Sequence, residues 1–277
     1  MAYEERYCAF VDILGFSALI STIGEAATEK LKNGQVEEVR KLLQVVHSPP
    51  YIMAPIGIDD YQANTISDAI AISAATNARG LLLIFEMLED LSLELLNKGY
   101  FCRGAIVKGP LFHDRTMVFG EALIKAYRME STVAKYPRVV VSGDVAADFT
   151  RYETEEFEGA LGTPRLAQSK GEPFWLDVLN PLVLAIANKN TTRLNHFSSI
   201  RQQLVRRLSD AKDKSRHFKK VRWFARYWNG VMPGGEYETE GFEQLAGVGV
   251  ATIFTYNMQP SSAEPAQPFG RSRPSSF

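Results

Sequence analysis

The sequence predicts an α+β fold, with strands and helices alternating over roughly 145 residues in the order β-α-β-β-α-β-β-α-β. Three observations carry that reading. Short runs rich in Phe, Val and Ile recur, stretches with helical apolar spacing lie between them, and Gly or Pro stands at most joints.

Residues 7–14 (YCAFVDIL) are apolar except for Asp12, as expected of a buried central strand with one carboxylate near its end. Gly15 breaks the run. Residues 16–23 and 25–47 then show helical spacing at Leu31, Val36, Val39, Leu42, Leu43 and Val46, until Ser48-Pro49-Pro50 stops the helix. Residues 61–73 (YQANTISDAIAIS) read as a hairpin turning near Ser67-Asp68, with a strongly apolar second arm. Residues 77–99 form a long amphipathic helix with Leu81, Ile84, Phe85, Leu88, Leu91 and Leu95 on one stripe, ended by Gly99. Residues 100–109 (YFCRGAIVKG) are a strand, 110–114 a turn and 116–119 a short strand. A helix over 121–136 is closed by Pro137, and 138–142 is the next strand. Residues 162–179 add a turn and a strand ending in an aromatic run. Residues 182–230 are polar, basic and helical, with Leu204, Leu208, Trp223, Phe224, Tyr227 and Trp228. Three parts are expected: a folded domain over 1–180, a helical extension packed on it over 181–260, and a disordered Pro/Ser-rich tail over 261–277.

The chain has 277 residues, enough for a substantial core, and 31 basic against 32 acidic side chains. That balance argues against a general nucleic-acid binder. Cys8 and Cys102 lie in apolar runs and read as buried, reduced thiols. The longest apolar runs fall short of a membrane span, and the opening MAYEERYCAF is too polar for a signal peptide, so a cytoplasmic location is expected. Gly104, Gly109 and Gly120 form neither dinucleotide nor P-loop spacing. His47, His113, His196 and His217 lack metal-ligand spacing, and the G-x-S-x-G elbow is missing.

Asp12 and Asp68 carry the chemistry that remains. Two carboxylates at neighbouring strand ends repel unless a cation sits between them, and Mg²⁺ or Mn²⁺ shared with substrate phosphates is one resolution. The other is that Asp12 caps the next helix and Asp68 is a turn residue. Spacing alone leaves both open.

Three segments, taken together and in order, carry a resemblance: FVDILGF (10–16), NTISDAIAIS (64–73) and RGAIVKGPLF followed by VFGEALIKAYRMES (103–131). They resemble the class III nucleotide cyclase catalytic domain, whose strand, hairpin and helix motifs occur in that order, over about residues 7–179. The resemblance implies a ferredoxin-like βαββαβ core with added strands. It makes Asp12 and Asp68 the metal-binding aspartates, with the Ile13 carbonyl as a further ligand to Mn²⁺ or Mg²⁺. Arg128 matches the arginine that stabilises the phosphates in the transition state, and Lys170 is similar to the late lysine on the terminal phosphates.

The departures bear on the base. Ile124 stands where the family has its catalytic asparagine, and Asn64 and Met117 replace the usual purine readers. FCRGAI, FGEALIKAY, AKYPRVVVSG and WFARYWN look like the bacterial pyrimidine cyclases of anti-phage signalling. That resemblance implies a homodimer with shared sites, using UTP to make cyclic UMP that acts on a separate effector protein. Phe16, Tyr61, Asn64, Arg103 and Met117 are then the substrate-binding positions. For Tyr61 and Arg103 an ordinary strand role stays equally open. CTP, a purine triphosphate, or a silent nucleotide-binding module are the alternatives.

Overall fold

The structure, a computed structural model, describes residues 3–47, 61–156, 165–168, 171–179, 191–210, 215–231, 245 and 255–256. The fold is α+β. Strand β1 (Glu4–Leu14) is followed by helices α1 (Phe16–Gly24) and α2 (Glu29–Gln44). The hairpin β2 (Gln62–Ile66) and β3 (Ala69–Ala75) leads to α3 (Ala78–Asn97), β4 (Phe101–His113) and β5 (Val118–Phe119). Then come α4 (Glu121–Thr132), β6 (Val139–Val141), α5 (Gly143–Glu155), β7 (Leu166–Gln168) and β8 (Trp175–Leu176). Helices α6 (Thr191–Asp210) and α7 (Arg216–Val231) and strand β9 (Thr255–Tyr256) complete the described elements.

The sheet order is β2-β3-β1-β4-β6-β8-β7-β9, with β5 paired to β4 off that path. Its first four strands have the ferredoxin-like arrangement. They pair antiparallel, and β4 pairs parallel with β6. Strands alternate side chains between two faces, so β1 has two surfaces. Tyr7, Ala9, Val11 and Ile13 enter the main core with the apolar stripe of α3. Cys8 joins a smaller cluster with Val107, Leu111, Ala122 and Ala126 beneath α4, beside Phe10, whose ring meets Tyr127 edge-on at 5.5 Å. Both cysteines are free and buried, and burial pushes Cys8 up to about 12 and Cys102 to about 11.

The structure corrects two boundaries and adds one helix. Residues 110–113 continue β4 rather than turning: Pro110 pairs with Glu5 and Leu111 with Glu4. The parallel pairing to β6 covers only Gly104–Ile106, so beyond it proline interrupts no second ladder. Helix α4 stops at Thr132 instead of reaching 136; Pro137 disfavours helical backbone only at Tyr136, whose ring stacks on Trp223 at 5.3 Å. Helix α5 was not foreseen, although Val145, Ala146, Phe149 and Tyr152 form its buried face at helical spacing.

Ile200, Leu204, Val221, Phe224, Tyr227 and Trp228 of α6 and α7 belong to the main core. Trp175 meets Tyr227 edge-on at 4.7 Å, and Phe101 packs on Phe224 at 5.1 Å. The aromatic run of α7 therefore closes the sheet's flank. Among the described residues, no helix is long and apolar enough to cross a membrane. The expected tail over 261–277 lies outside the described residues.

Candidate functional site

Asp12 lies near the end of β1, opposite Ala69 on β3 and Arg103 on β4. The Ile13 N–H donates to the Asp68 carbonyl at 3.1 Å, which ties the hairpin turn to that strand end. Two local conformations make the junction. Ser67 takes a left-handed φ of 58° in the two-residue turn, and Gly15 takes φ 92° where β1 passes into α1. The sequence thus places two carboxylates, one from a strand and one from a turn, on one rim of the sheet.

Their electrostatics are strained rather than settled. The Asp12 side chain is 27% exposed, and Arg103 Nη2 stands 3.5 Å from its Oδ2. The same guanidinium pairs more closely with Glu130, buried on α4. Burial raises the Asp12 carboxyl above its ordinary value; Arg103 and Lys220 oppose the rise, while the Glu130 and Asp68 carboxylates add to it. Two carboxylates so placed fit a hard divalent cation. Asp12 and Asp68 would hold it through their oxygens. The Ile13 side chain is buried in the core, so its backbone carbonyl is all it can offer. Among the described residues, no group of three or more His, Cys, Asp and Glu side chains forms a complete cage, so further oxygens would come from phosphate or water.

Other expected site residues are distributed elsewhere. Arg128 is exposed on α4, two residues from Glu130 and so about 200° around the helix from it. It lines an open cavity of about 750 Å³ with Lys108, Lys125 and Ile124. Within one chain it faces away from Asp12. Phe16 and Tyr61 are main-core residues: Phe16 packs inward from the start of α1, and the Tyr61 hydroxyl donates to the Val46 carbonyl at 2.7 Å.

With its amide oriented to suit its neighbours, Asn64 donates to the Asp114 carbonyl at 3.1 Å and faces His113 Nε2 at 3.2 Å. His113 Nδ1 in turn meets Ser73 Oγ at 2.9 Å, and Arg6 Nε donates to that hydroxyl at 3.1 Å. Burial and the Arg6 charge hold His113 down at about 4, so it is neutral at pH 7. Met117 is half-exposed in the turn between β4 and β5, its N–H donating to Asp114 Oδ1 at 2.9 Å. Asn64 on β2 and Arg103 on β4 are three strand spacings apart, about 14 Å, so they do not share a single base contact within one chain. Lys170 lies outside the described residues.

Two participants escaped the sequence reading. Glu130 continues the buried spacing Ala122, Ala126, Glu130 on α4, and an acid on that stripe signals a buried cation partner. Lys220 comes from α7, distant in sequence, and no local pattern announces it.

Neither protein-family models nor curated proteins give a match to this chain. Among solved structures, the chain is similar to the catalytic core of a rhodopsin-guanylyl cyclase with converted specificity in complex with ATPalphaS. The identity is 16%, over 63% of this chain and 95% of that one, at a TM-score of 0.38. It is also similar to an adenylate/guanylate cyclase/hydrolase from Silicibacter pomeroyi, at 17% identity over 62% of this chain and 95% of that one, with a TM-score of 0.35. Likeness at this level assigns no role to any residue.

Proposed function

We propose that the chain is a nucleotide cyclase that converts a nucleoside triphosphate, UTP in the first instance, to the 3′,5′-cyclic monophosphate and pyrophosphate. The observation that carries this is the pairing of Asp12 and Asp68 at one rim of the sheet, half-buried and mutually repelling. A divalent cation held there would supply Lewis-acid polarisation of the α-phosphate. The ribose 3′-oxygen forms the new bond to the α-phosphorus, the bond to the β-phosphate oxygen breaks, and the hydroxyl proton leaves to solvent. No protein nucleophile is needed.

Arg128 completes the reading only from a second copy, since in its own chain it is turned away. The working unit is therefore a homodimer with shared sites. The apolar side chains exposed along α4 and the β4–β5 turn, Ile124, Tyr127, Met117 and Phe119, offer surface for it. Base choice rests on Asn64. With its nitrogen donating to Asp114, its remaining capacity is an acceptor, which suits the N3–H of uracil better than the N3 of cytosine. Synthesis of cyclic UMP in the cytoplasm, for a separate effector of anti-phage defence, is the biological reading.

The test is mass spectrometry of products from equal ATP, GTP, CTP and UTP with Mn²⁺. Cyclic UMP as main product is expected, whereas cyclic CMP or a purine product overturns the base choice alone. Mixing Asp12→Ala with Arg128→Ala protein should restore activity, up to about a quarter of the parent, because half of random dimers carry one intact site. A second reading has one observation behind it. Arg103 already stands against Asp12, as it would in a nucleotide-binding module without turnover, and absence of every cyclic product would select it.

A further inference from the structure

Beside the carboxylate rim opens a cleft of about 460 Å³, a volume typical of ligand pockets. Its floor includes Leu14 and Gly15, just beyond Asp12, and its wall holds Arg207 of α6 with Arg216, His217 and Lys220 of α7. Among the described residues, no acidic side chain lines it. Arg207 is fixed as part of the wall: its Nε donates to the Gly99 carbonyl at 2.8 Å, and its guanidinium lies 5.5 Å over the Tyr100 ring.

Lys220 connects the cleft to the carboxylates. It is half-buried, and its charge is felt both by Asp12 and Glu130 and by the Arg103 and Arg216 guanidiniums. Burial holds its ammonium below the ordinary value, and the two arginines press in the same direction. Asp12 and Glu130 offset part of the repulsion among these cations, and a multivalent anion in the cleft would relieve the rest. Arginine and lysine also divide such work well. The guanidinium fork grips a phosphate through two parallel bonds, and the ammonium serves as a mobile point charge.

We propose that this cleft is an oligophosphate subsite, in which Arg216 and Lys220 take the outer phosphates of a ligand whose innermost phosphate would lie against a divalent cation held by Asp12 and Asp68. The identity of the whole ligand as a nucleoside triphosphate rests on the reading above; the cleft itself asks only for linked phosphates. The C-terminal helices then contribute to substrate binding as well as to the core. A substrate bound this way bridges α7 to the end of β1, so the far end of the chain meets its beginning at the site.

The probe is inorganic triphosphate, titrated calorimetrically into the full chain with Mg²⁺ present, with orthophosphate and uridine as separate arms. Triphosphate should bind once per chain and more tightly than either. The double variant Arg216→Gln/Lys220→Gln should bind it at least tenfold more weakly, while Arg226→Gln, which removes an exposed charge from the same helix outside the cleft, should bind as the parent does. Thermal melts accompany each variant to show that it is folded. Failure of triphosphate to bind the parent, or binding by the double variant within twofold of the parent, overturns the subsite. The two readings also separate by turnover. Triphosphate binding as expected with no cyclic product from any triphosphate supports the subsite and removes the cyclase. Cyclic product formed by the double variant at unchanged KM removes the subsite and leaves the cyclase.

Discussion

Two clusters in this chain gather carboxylates around one arginine, and they come to opposite ends. Arg165, just before β7, donates to Glu89 on α3 at 2.8 Å and stands 3.6 Å from Glu86. Asp177 lies close by, accepting from the Tyr227 hydroxyl and from the Leu179 N–H. Glu89 and Asp177 are almost wholly enclosed, and α3 and α7 close over them. Arg103 likewise faces Glu130 and Asp12, but there only Glu130 is enclosed. Asp12 and Asp68 stay reachable from outside. The parts are alike, so the difference is access. A sealed cluster can only stabilise, whereas an open one whose charges are incompletely matched has work left for a ligand.

The largest effect that would break this contrast concerns activity. On the proposed reading, Asp12→Ala or Asp68→Ala should leave less than a few per cent of cyclase turnover with the fold intact by circular dichroism, since each would delete a ligand of the cation. Substantial turnover that still needs metal would detach the carboxylates from the reaction. The counterpart in the sealed cluster is Arg165→Met, which should cost about 3–5 kcal/mol of unfolding free energy by removing the cation between Glu86 and Glu89. Turnover per folded molecule should stay at the parent's level. If denaturant midpoints hardly move, the cluster is not the structural member of the pair.

How far each cluster was legible in the sequence follows the same division. Asp12 and Asp68 announced themselves, because a carboxylate inside YCAFVDIL or at the tip of NTISDAIAIS interrupts an apolar pattern. The strands and α3 were equally plain, being long and strongly periodic. What could not be read was the company these residues keep. Arg103 meets Glu130 only because α4 crosses β4, and Lys220 arrives from more than two hundred residues away. Glu89 looks like any acid on the polar side of an amphipathic helix until Arg165 is packed against it. The burial of Tyr61 and Phe16 went unread for a related reason: local pattern gives a residue's type of element, and tertiary packing decides which face is open.

The sealed cluster also has a pH signature. Burial, opposed by Arg165 and aided by Glu86 and Asp177, pushes the Glu89 carboxyl from its ordinary 4.5 up to about 8. Between those values the folded chain keeps a proton that the unfolded chain releases, so this group's contribution falls as pH rises through that window and is level outside it. Glu89→Gln cannot ionise and should lose that part of the decline. Comparing denaturant midpoints of parent and variant at pH 5 and pH 8 checks it. Parallel curves would mean that Glu89 titrates normally and that enclosure does not distinguish the clusters.

The smallest effect is the most pointed, because it asks the open cluster to gain stability where the sealed one loses it. Asp12 is half-buried, and its carboxyl is raised by that burial and by Glu130 and Asp68, more than Arg103 and Lys220 bring it down. Its ionised form is therefore a cost to the folded chain at neutral pH, and the cost disappears as pH falls far enough for the folded and unfolded chains both to hold the proton. Asp12→Asn keeps the shape, removes the charge, and leaves Arg103 its closer partner Glu130. The variant should melt a few degrees above the parent at pH 8, in line with about 1 kcal/mol in a chain of this size, and the gap should close toward pH 4. Turnover at pH 8 should meanwhile be lost. A higher melting temperature gained together with lost activity marks a residue retained for chemistry at the expense of stability. A variant that melts lower than the parent at pH 8 would mean that the fold itself requires the Asp12 carboxylate.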